Sequence, residues 1–327
     1  MDHVSNWMQK STITSHKYRY SMQVDGMKGV LSTAWIADSW YSYFLPSVIV
    51  SKLNQEEKAI LGACILSNFM SYTVEVEHGI VNPIVNKISL GESIFFSGKQ
   101  ERMTCYGVFA DEVYHAMFSY DLLSSLMYSG DIHKIHDFEL DSKEKSKKIV
   151  SLRRCDNDRD TEVSMLALGV YSEVCIATQL TNIQKDTIYE PVYNALKDHL
   201  DDEKRHAAIF VDLMRTFWKT STIADKTLFI SKLFAVMELN VSYMDRTWVK
   251  NYLSYIDKAD LFSLMPTIKP ENKFEGVASF VERTSKVLFA ELNRLGAWDV
   301  QELNELLTRY RLAKFAQGGN LCVEQRY

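Results

Sequence analysis

The chain has 327 residues, with 37 basic and 42 acidic side chains that give a formal net charge of −5. Its 13 glycines and 5 prolines are too few for the frequent turns of a β-sandwich, barrel or propeller. The acidic balance argues against a nucleic-acid-binding protein, because such proteins normally carry a basic face. We therefore expect long helices joined by short loops.

Cysteine usage and the N-terminal residues bear on the cellular location. The five cysteines are widely spaced and include no Cys-x-x-Cys pair, which argues against a zinc ribbon or a disulfide framework and favours a reducing cytoplasm. The N-terminus lacks a basic segment followed by an apolar one, so no secretion signal is predicted. No window approaches about 18 consecutive apolar residues, so no transmembrane helix is predicted either.

The chain begins with a mixed, aromatic-rich segment over residues 1–54, for which we predict one or two short helices and irregular chain covering a core. Apolar residues at helical spacing then predict four long helices, over residues 55–87, 101–129, 160–180 and 191–219. Pro83 is expected to kink or end the first helix. Pro191 suits the first turn of the fourth helix.

The remaining segments carry weaker signals. The charge-rich stretch 141–148 predicts a solvated helix start or linker. Residues 222–314 show three or four further helical patterns, broken at Pro266, Pro270 and Gly296. We expect one domain over residues 1–327, and 220–225 is the best candidate for an internal boundary.

The strongest local signal is the sequence from His199 to His206, His-Leu-Asp-Asp-Glu-Lys-Arg-His. The spacing places His199, Glu203 and His206 on one helical face. Leu196 and Phe210 continue the same stripe, so this face points into the protein. Two imidazoles and a carboxylate buried together must be paired or bound to a cation, because burial of bare charge is costly.

A second Glu-x-x-His pair, Glu112 and His115, lies in the second predicted long helix. Two such pairs on two helices indicate two metal ions. Dimetal sites in helical bundles add one lone glutamate from each of two further helices. The apolar faces of the other two long helices offer Glu77 and Glu173 for this role.

The order of the acids is an internal repeat, in which a lone glutamate precedes a chelating pair twice. Glu75 with His78 forms a third Glu-x-x-His, but their helical face is polar, so we interpret them as solvated or as outer-sphere residues, and Glu77 as the better ligand.

The candidate ligands are mostly carboxylates, and such a set suits iron or manganese rather than structural zinc. Asp111 and Asp202 are candidates to orient the histidines, with ordinary surface aspartates as the alternative.

With these residues in view, the sequence resembles the ferritin-like di-iron carboxylate proteins, and its extra His199 resembles the AurF-like di-iron N-oxygenases. The resemblance covers about residues 55–215. It implies an all-α, ferritin-like four-helix bundle core at about 55–219 with additional N- and C-terminal helices. It also implies a seven-residue ligand set, made of Glu77, Glu112, His115, Glu173, His199, Glu203 and His206.

The activity implied by the resemblance is the oxidation of an amine nitrogen by O2 at two iron ions, with di-manganese or a mixed pair as alternatives. The amine would be a small arylamine or amino-acid-derived molecule, free or tethered to a carrier, in a secondary-metabolite pathway. The resemblance implies an external reductase or ferredoxin as a partner, and it implies a homodimer. It implies no binding to nucleic acid or to a membrane. A C–H oxygenase, an oxidase or a ferroxidase is the alternative, and a metal-free helical interaction protein is a further one.

Overall fold

All regular structure in the described part of the chain is helical. The computed structural model describes residues 3–15, 17–180, 188–242, 247–265, 284 and 286–309, and no strand occurs among them. The α-helices of these residues, in chain order, are α1 (His3–Lys10), α2 (Thr12–Ser15), α3 (Gly26–Leu31), α4 (Asp38–Phe44), α5 (Ser47–Val50), α6 (Gln55–Val76), α7 (Asn82–Leu90), α8 (Lys99–Ser124), α9 (Phe138–Arg153), α10 (Asp158–Gln179), α11 (Glu190–Thr220), α12 (Ile223–Ser242), α13 (Thr247–Tyr255), α14 (Lys286–Arg294) and α15 (Gln301–Arg309). The predicted all-α class is confirmed.

Four long helical units form the core that was predicted from the apolar spacing. The first unit is α6 with α7, which packs along α8, while α10 packs along α11. Contacts of α8 with α11, and of α10 with α7, close the ring into a four-helix bundle. Helices α9 and α12 cover its outside, because α9 packs on α6 and α12 on α10.

A π-helical turn, Glu77–Val81, joins α6 to α7, and it changes the outcome predicted for Pro83. The helical path continues past this proline to Leu90 and ends at Gly91, whose φ of 77° suits glycine. Pro83 has no N–H to donate to the carbonyl four residues earlier, which belongs to Gly79. Arg153 donates to that carbonyl instead, at 2.7 Å, so the proline is accommodated without ending the helix.

The other ends of the bundle helices follow local capping chemistry. Asn54 and Glu57 form a reciprocal capping box at the start of α6, and Asn157 caps α10 through the N–H of Asp160. Pro191 lies in the first turn of α11, as predicted. These signals explain why the observed helix starts lie within a few residues of the predicted ones.

Outside the bundle the structure refines several predictions. The charge-rich stretch 141–148 begins in the first turn of α9 and continues into the middle of that helix, with its charged face solvated. The predicted solvated helix start is therefore confirmed, and the alternative of a linker is wrong. The N-terminal segment holds five short helices rather than one or two. Gly296 follows α14 in a left-handed conformation. Pro266, Pro270 and Cys322 lie outside the described residues.

One helical stretch, Gln55–Leu90, is long and apolar enough to cross a membrane by length and composition alone. The sequence contains no unbroken apolar run of about 18 residues, so no such span was predicted. The most apolar window of this stretch is 72% buried inside the protein. Its position at the centre of the bundle accounts for its apolar composition, because a helix that is enclosed by others is hydrophobic around most of its surface.

Candidate metal centre

The seven side chains that were predicted as ligands meet at the centre of the bundle. Each of the four bundle units contributes at least one of them, and all seven are at most 1% exposed. Three overlapping groups have ligand atoms that lie within 4.8 Å of one another: Glu77, His115, His199 and Glu203; Glu112, His115, Glu203 and His206; and Glu77, Glu112 and Glu173. The structure therefore brings the whole predicted set together.

Glu203 lies among all three histidines. Its Oε1 atom is 3.3 Å from Nδ1 of His115, 3.2 Å from Nε2 of His199 and 3.5 Å from Nδ1 of His206. The imidazole rings are close as well, since the ring centroids of His115 and His199 are 4.4 Å apart. One carboxylate thus faces nitrogen donors from two different helices.

The other three glutamates each face a histidine from another helix. The distances are 2.6 Å from Glu112 Oε1 to His206 Nδ1, 3.5 Å from Glu173 Oε2 to His206 Nδ1 and 3.6 Å from Glu77 Oε1 to His199 Nε2. Glu77 is the first residue of the π-helical turn. Such turns are often found at functional sites.

The donor atoms of this cluster fit a pair of metal ions. Among the residues that the structure describes, both carboxylate oxygens of all four glutamates are buried without a hydrogen-bond partner, as are the inward-facing nitrogens of the three histidines. Buried polar groups are normally hydrogen-bonded, so an orphaned cluster of this size requires another partner. Oxygen donors with a minority of imidazoles suit iron or manganese, and the number of donors suits two ions.

The pKa shifts of the cluster agree with a site for two metal ions. Burial, together with the neighbouring carboxylates, raises the pKa of Glu77 and of Glu173 well above the ordinary value. Burial alone would also raise the pKa of Glu203, but the three histidines outweigh it and hold that pKa well below its usual range. Four adjacent buried carboxylates cannot all be ionised without nearby positive charge, which two divalent cations would supply.

Asp111 and Asp202 orient the histidines, but the pairing is crossed between helices. His115 on α8 bonds Asp202 of α11 through Nε2 at 3.0 Å, and His206 on α11 bonds Asp111 of α8 at 3.1 Å. Each imidazole thereby directs Nδ1 toward the centre of the cluster. His199 differs, because neither of its ring nitrogens has a hydrogen-bond partner within the described part of the chain.

The N-terminal segment covers this outer side of the site, a role that the sequence did not reveal. The indole of Trp7 donates to Asp111 Oδ2 at 2.9 Å, and the hydroxyl of Ser11 donates to the other oxygen of the same carboxylate. The backbone N–H of Thr12 donates to Asp202 at 3.2 Å. Contacts that span 100 to 190 residues leave no local spacing pattern, so no sequence signal identifies these donors.

The alternative pair, Glu75 and His78, lies away from the cluster, since Glu75 is half-buried and His78 is exposed. An arginine could bind a substrate carboxylate, but Arg205 forms an ion pair with Asp202. Arg102 and Arg153 donate to backbone carbonyls, those of Ser89 and Gly79. Arg154 is exposed. None of the four is thereby placed in a substrate pocket.

Comparison with known families agrees with the geometry. The chain matches the family model described as P-aminobenzoate N-oxygenase AurF over residues 48–260, which is more than half of the chain and includes every residue of the cluster. No curated protein matches the chain. The resemblance inferred from the Glu-x-x-His pairs and the additional histidine is therefore confirmed, and the chain belongs to the AurF family of p-aminobenzoate N-oxygenases.

Proposed function

We propose that this protein is a non-haem di-iron monooxygenase that oxidises the nitrogen of an arylamine or an amino-acid-derived amine, giving hydroxylamine, nitroso or nitro products. One observation carries the proposal. Four carboxylates and three imidazoles face one another in the bundle core, and their inward atoms have no hydrogen-bond partner. Membership of the AurF family supports the choice of nitrogen as the oxidised atom.

In this proposal the seven side chains hold the two ions, and iron is the first choice with manganese as the alternative. The bound metal pair supplies the activation of O2. The crossed aspartates hold His115 and His206 in the tautomer that leaves Nδ1 free to ligate, because each Nε2 atom donates to a carboxylate. Phe69 and Phe118 are buried beside His199 and help to exclude water from the site.

The reaction defines what else the protein needs. Conversion of an amine to a hydroxylamine consumes O2, two electrons and two protons, and it releases one water. The electrons come from outside the chain, so we propose a reductase or a ferredoxin as the partner. A cytoplasmic location and a role in secondary metabolism belong to the same proposal.

The test is a product assay with matched variants. The purified protein is loaded anaerobically with Fe(II), then supplied with a chemical reductant, ¹⁸O2 and a panel of arylamines and aliphatic amines. We expect two irons per chain and an amine product that carries ¹⁸O, detected by mass spectrometry. Glu77→Gln should lower the iron content and abolish the product, whereas Glu75→Gln, two residues away and outside the cluster, should retain both.

Four results would contradict the proposal or its ligand assignment. Failure of the wild-type protein to take up iron or manganese would remove the metal centre. Uptake of iron and its oxidation without any amine product would favour a ferroxidase, and ¹⁸O on a carbon atom of the substrate would favour a C–H oxygenase. Loss of iron in the Glu75→Gln variant would show that the choice of Glu77 over Glu75 as the ligand is wrong.

A further inference from the structure

Four aromatic rings, which we call the aromatic relay, connect the ligand cluster with the protein surface. Tyr18, which is 41% exposed, lies at the outer end, and the fully buried Tyr20 and Phe118 lie further in. The ring centroids are 5.1 Å apart between Tyr18 and Tyr20 and 4.9 Å apart between Tyr20 and Phe118. The half-buried Tyr114 lies beside these three rings at centroid distances of 6.5, 6.3 and 5.7 Å. All of these separations are those of packed aromatic pairs.

The inner end of the aromatic relay meets two of the proposed ligands. The ring centroid of Phe118 is 5.6 Å from that of His115 and 5.8 Å from that of His199. Tyr20 also approaches His199 through the chain, because its hydroxyl donates to Oδ2 of Asp198 at 2.8 Å and Asp198 directly precedes His199. Every step from the surface to a ligand is therefore short.

The two tyrosines of the N-terminal segment each donate to a carboxylate. Tyr18 donates to Asp121, and burial together with this hydrogen bond raises the pKa of the Tyr18 phenol. Arg19 holds Asp198, the acceptor of Tyr20, through two guanidinium nitrogens at 2.7 and 3.2 Å. A phenol that is protonated at neutral pH must release its proton when it loses an electron. The Asp121 carboxylate is in place to receive that proton from Tyr18 without any movement of the chain.

We propose that the aromatic relay carries oxidising equivalents from the metal pair to the surface when activated O2 meets no amine. This inference rests on the metal centre of the proposed function. Tyr18 loses one electron, which moves inward through Tyr20 and Phe118 and reduces the oxidised metal pair by one equivalent. The phenolic proton of Tyr18 moves to Asp121. Electron tunnelling slows exponentially with distance, so several steps between adjacent rings are faster than one long step.

The outer end of the relay is regenerated by a reductant from solution, for which we propose a small thiol. Its thiolate supplies the electron that Tyr18 has lost, and Asp121 returns the proton, so the phenol is restored. Two of the resulting sulfur radicals combine to a disulfide, which completes the electron balance of two such events. Tyr18 is exposed enough to meet the thiol, whereas Tyr20 is fully buried. The relay thereby protects the buried ligands from oxidation.

The test drives the relay from its outer end and needs no amine oxidation. The apoprotein is loaded with Mn(II), and the uptake is measured first. A ruthenium trisbipyridine complex, too large to enter the bundle, is oxidised by a laser flash with persulfate, and the loss of the Mn(II) electron paramagnetic resonance signal is followed. Tyr18→Phe and Tyr20→Phe should each slow this loss about tenfold, because phenylalanine keeps the ring contacts but is a step of higher barrier. Tyr128→Phe, which changes a 64%-exposed tyrosine outside the relay, should keep the wild-type rate.

A second pair of variants tests the proton acceptor. Asp121→Asn keeps a hydrogen-bond acceptor for Tyr18 but removes the base, so it should slow the loss of the Mn(II) signal as Tyr18→Phe does. Asp201→Asn, which changes a 44%-exposed carboxylate outside the relay, should not. In the Fe(II) form, O2 without an amine should give a tyrosyl radical signal that Tyr18→Phe removes.

The outcomes separate the relay from the metal centre. Full uptake of Mn(II) with equal rates in the wild type, Tyr18→Phe and Tyr20→Phe would overturn the relay and leave the proposed function intact. Failure to take up either Mn(II) or Fe(II) would overturn the metal centre and the relay with it. If Tyr128→Phe slowed the reaction as much as Tyr18→Phe, exposed tyrosines in general would admit the oxidant, and the assignment of Tyr18 would be wrong.

Discussion

The crossed aspartates offer the sharpest test of how the protein would hold the proposed metal centre. Asp202 is fully buried and accepts from Nε2 of His115 at 3.0 Å. In Asp202→Asn the amide oxygen still accepts this hydrogen bond, but the negative charge is lost. A hydrogen bond to a charged acceptor contributes about 1.5–3 kcal/mol and a neutral one about 0.5–1.5, so the expected loss is about 1.4 kcal/mol. That corresponds to about tenfold weaker metal binding.

The assay is a calorimetric titration of the apoprotein with Mn(II), repeated with Fe(II) under anaerobic conditions. Asp201→Asn is the matched control, because the Asp201 side chain is 44% exposed and pairs with Lys197 one turn earlier. Circular dichroism and thermal unfolding establish that both variants are folded. If Asp202→Asn binds metal within twofold of the wild type and of Asp201→Asn, the charge of the orienting acid does not contribute and this reasoning is wrong.

The remaining predictions concern the N-terminal cover and the helix that packs on α10. Trp7→Phe removes the indole donor to the orienting acid of α8 and should weaken Mn(II) binding about threefold in the same titration. Gly107→Ala builds a Cβ atom 2.9 Å from the Trp7 ring, so it should displace the indole, shift the tryptophan fluorescence and weaken binding in the same direction. Asp225, bonded by Arg159 and capping α12, has its pKa lowered to about 2. Because that pKa lies below its value in the unfolded chain, the contact stabilises the fold fully above about pH 4, and this stabilisation is lost as the pH falls toward 2. Urea unfolding should therefore show that the free energy of unfolding of the wild type falls by about 1–2 kcal/mol more than that of Asp225→Asn between pH 5 and pH 2. An equal loss in both proteins would show that the Arg159 contact does not stabilise the fold.

The sequence predicted the seven cluster residues because their positions repeat within single helices. Acids and histidines at steps of three and four on apolar stripes are visible without any knowledge of the fold. The crossed pairing of His115 with Asp202 was not visible, since it depends on which helices become neighbours and at what height. Trp7 reaches the site through a contact that spans 104 residues, and such contacts leave no local pattern. The outer layer of the site therefore required the packed structure.

The site is not symmetric, although the chain repeats the pattern of its ligands. Each half of the bundle provides a lone glutamate and a Glu-x-x-His pair, but Glu173 lies within the regular helix α10, whereas Glu77 begins a π-helical turn. The additional His199 lies on the Glu77 side, 3.6 Å from that carboxylate. A π-turn inserts extra backbone and changes the direction of the side chains that follow it. The π-helical turn that accommodates Pro83 therefore lies in the same half of the site as the seventh donor, His199. The two ions of the proposed centre would thus occupy unequal environments.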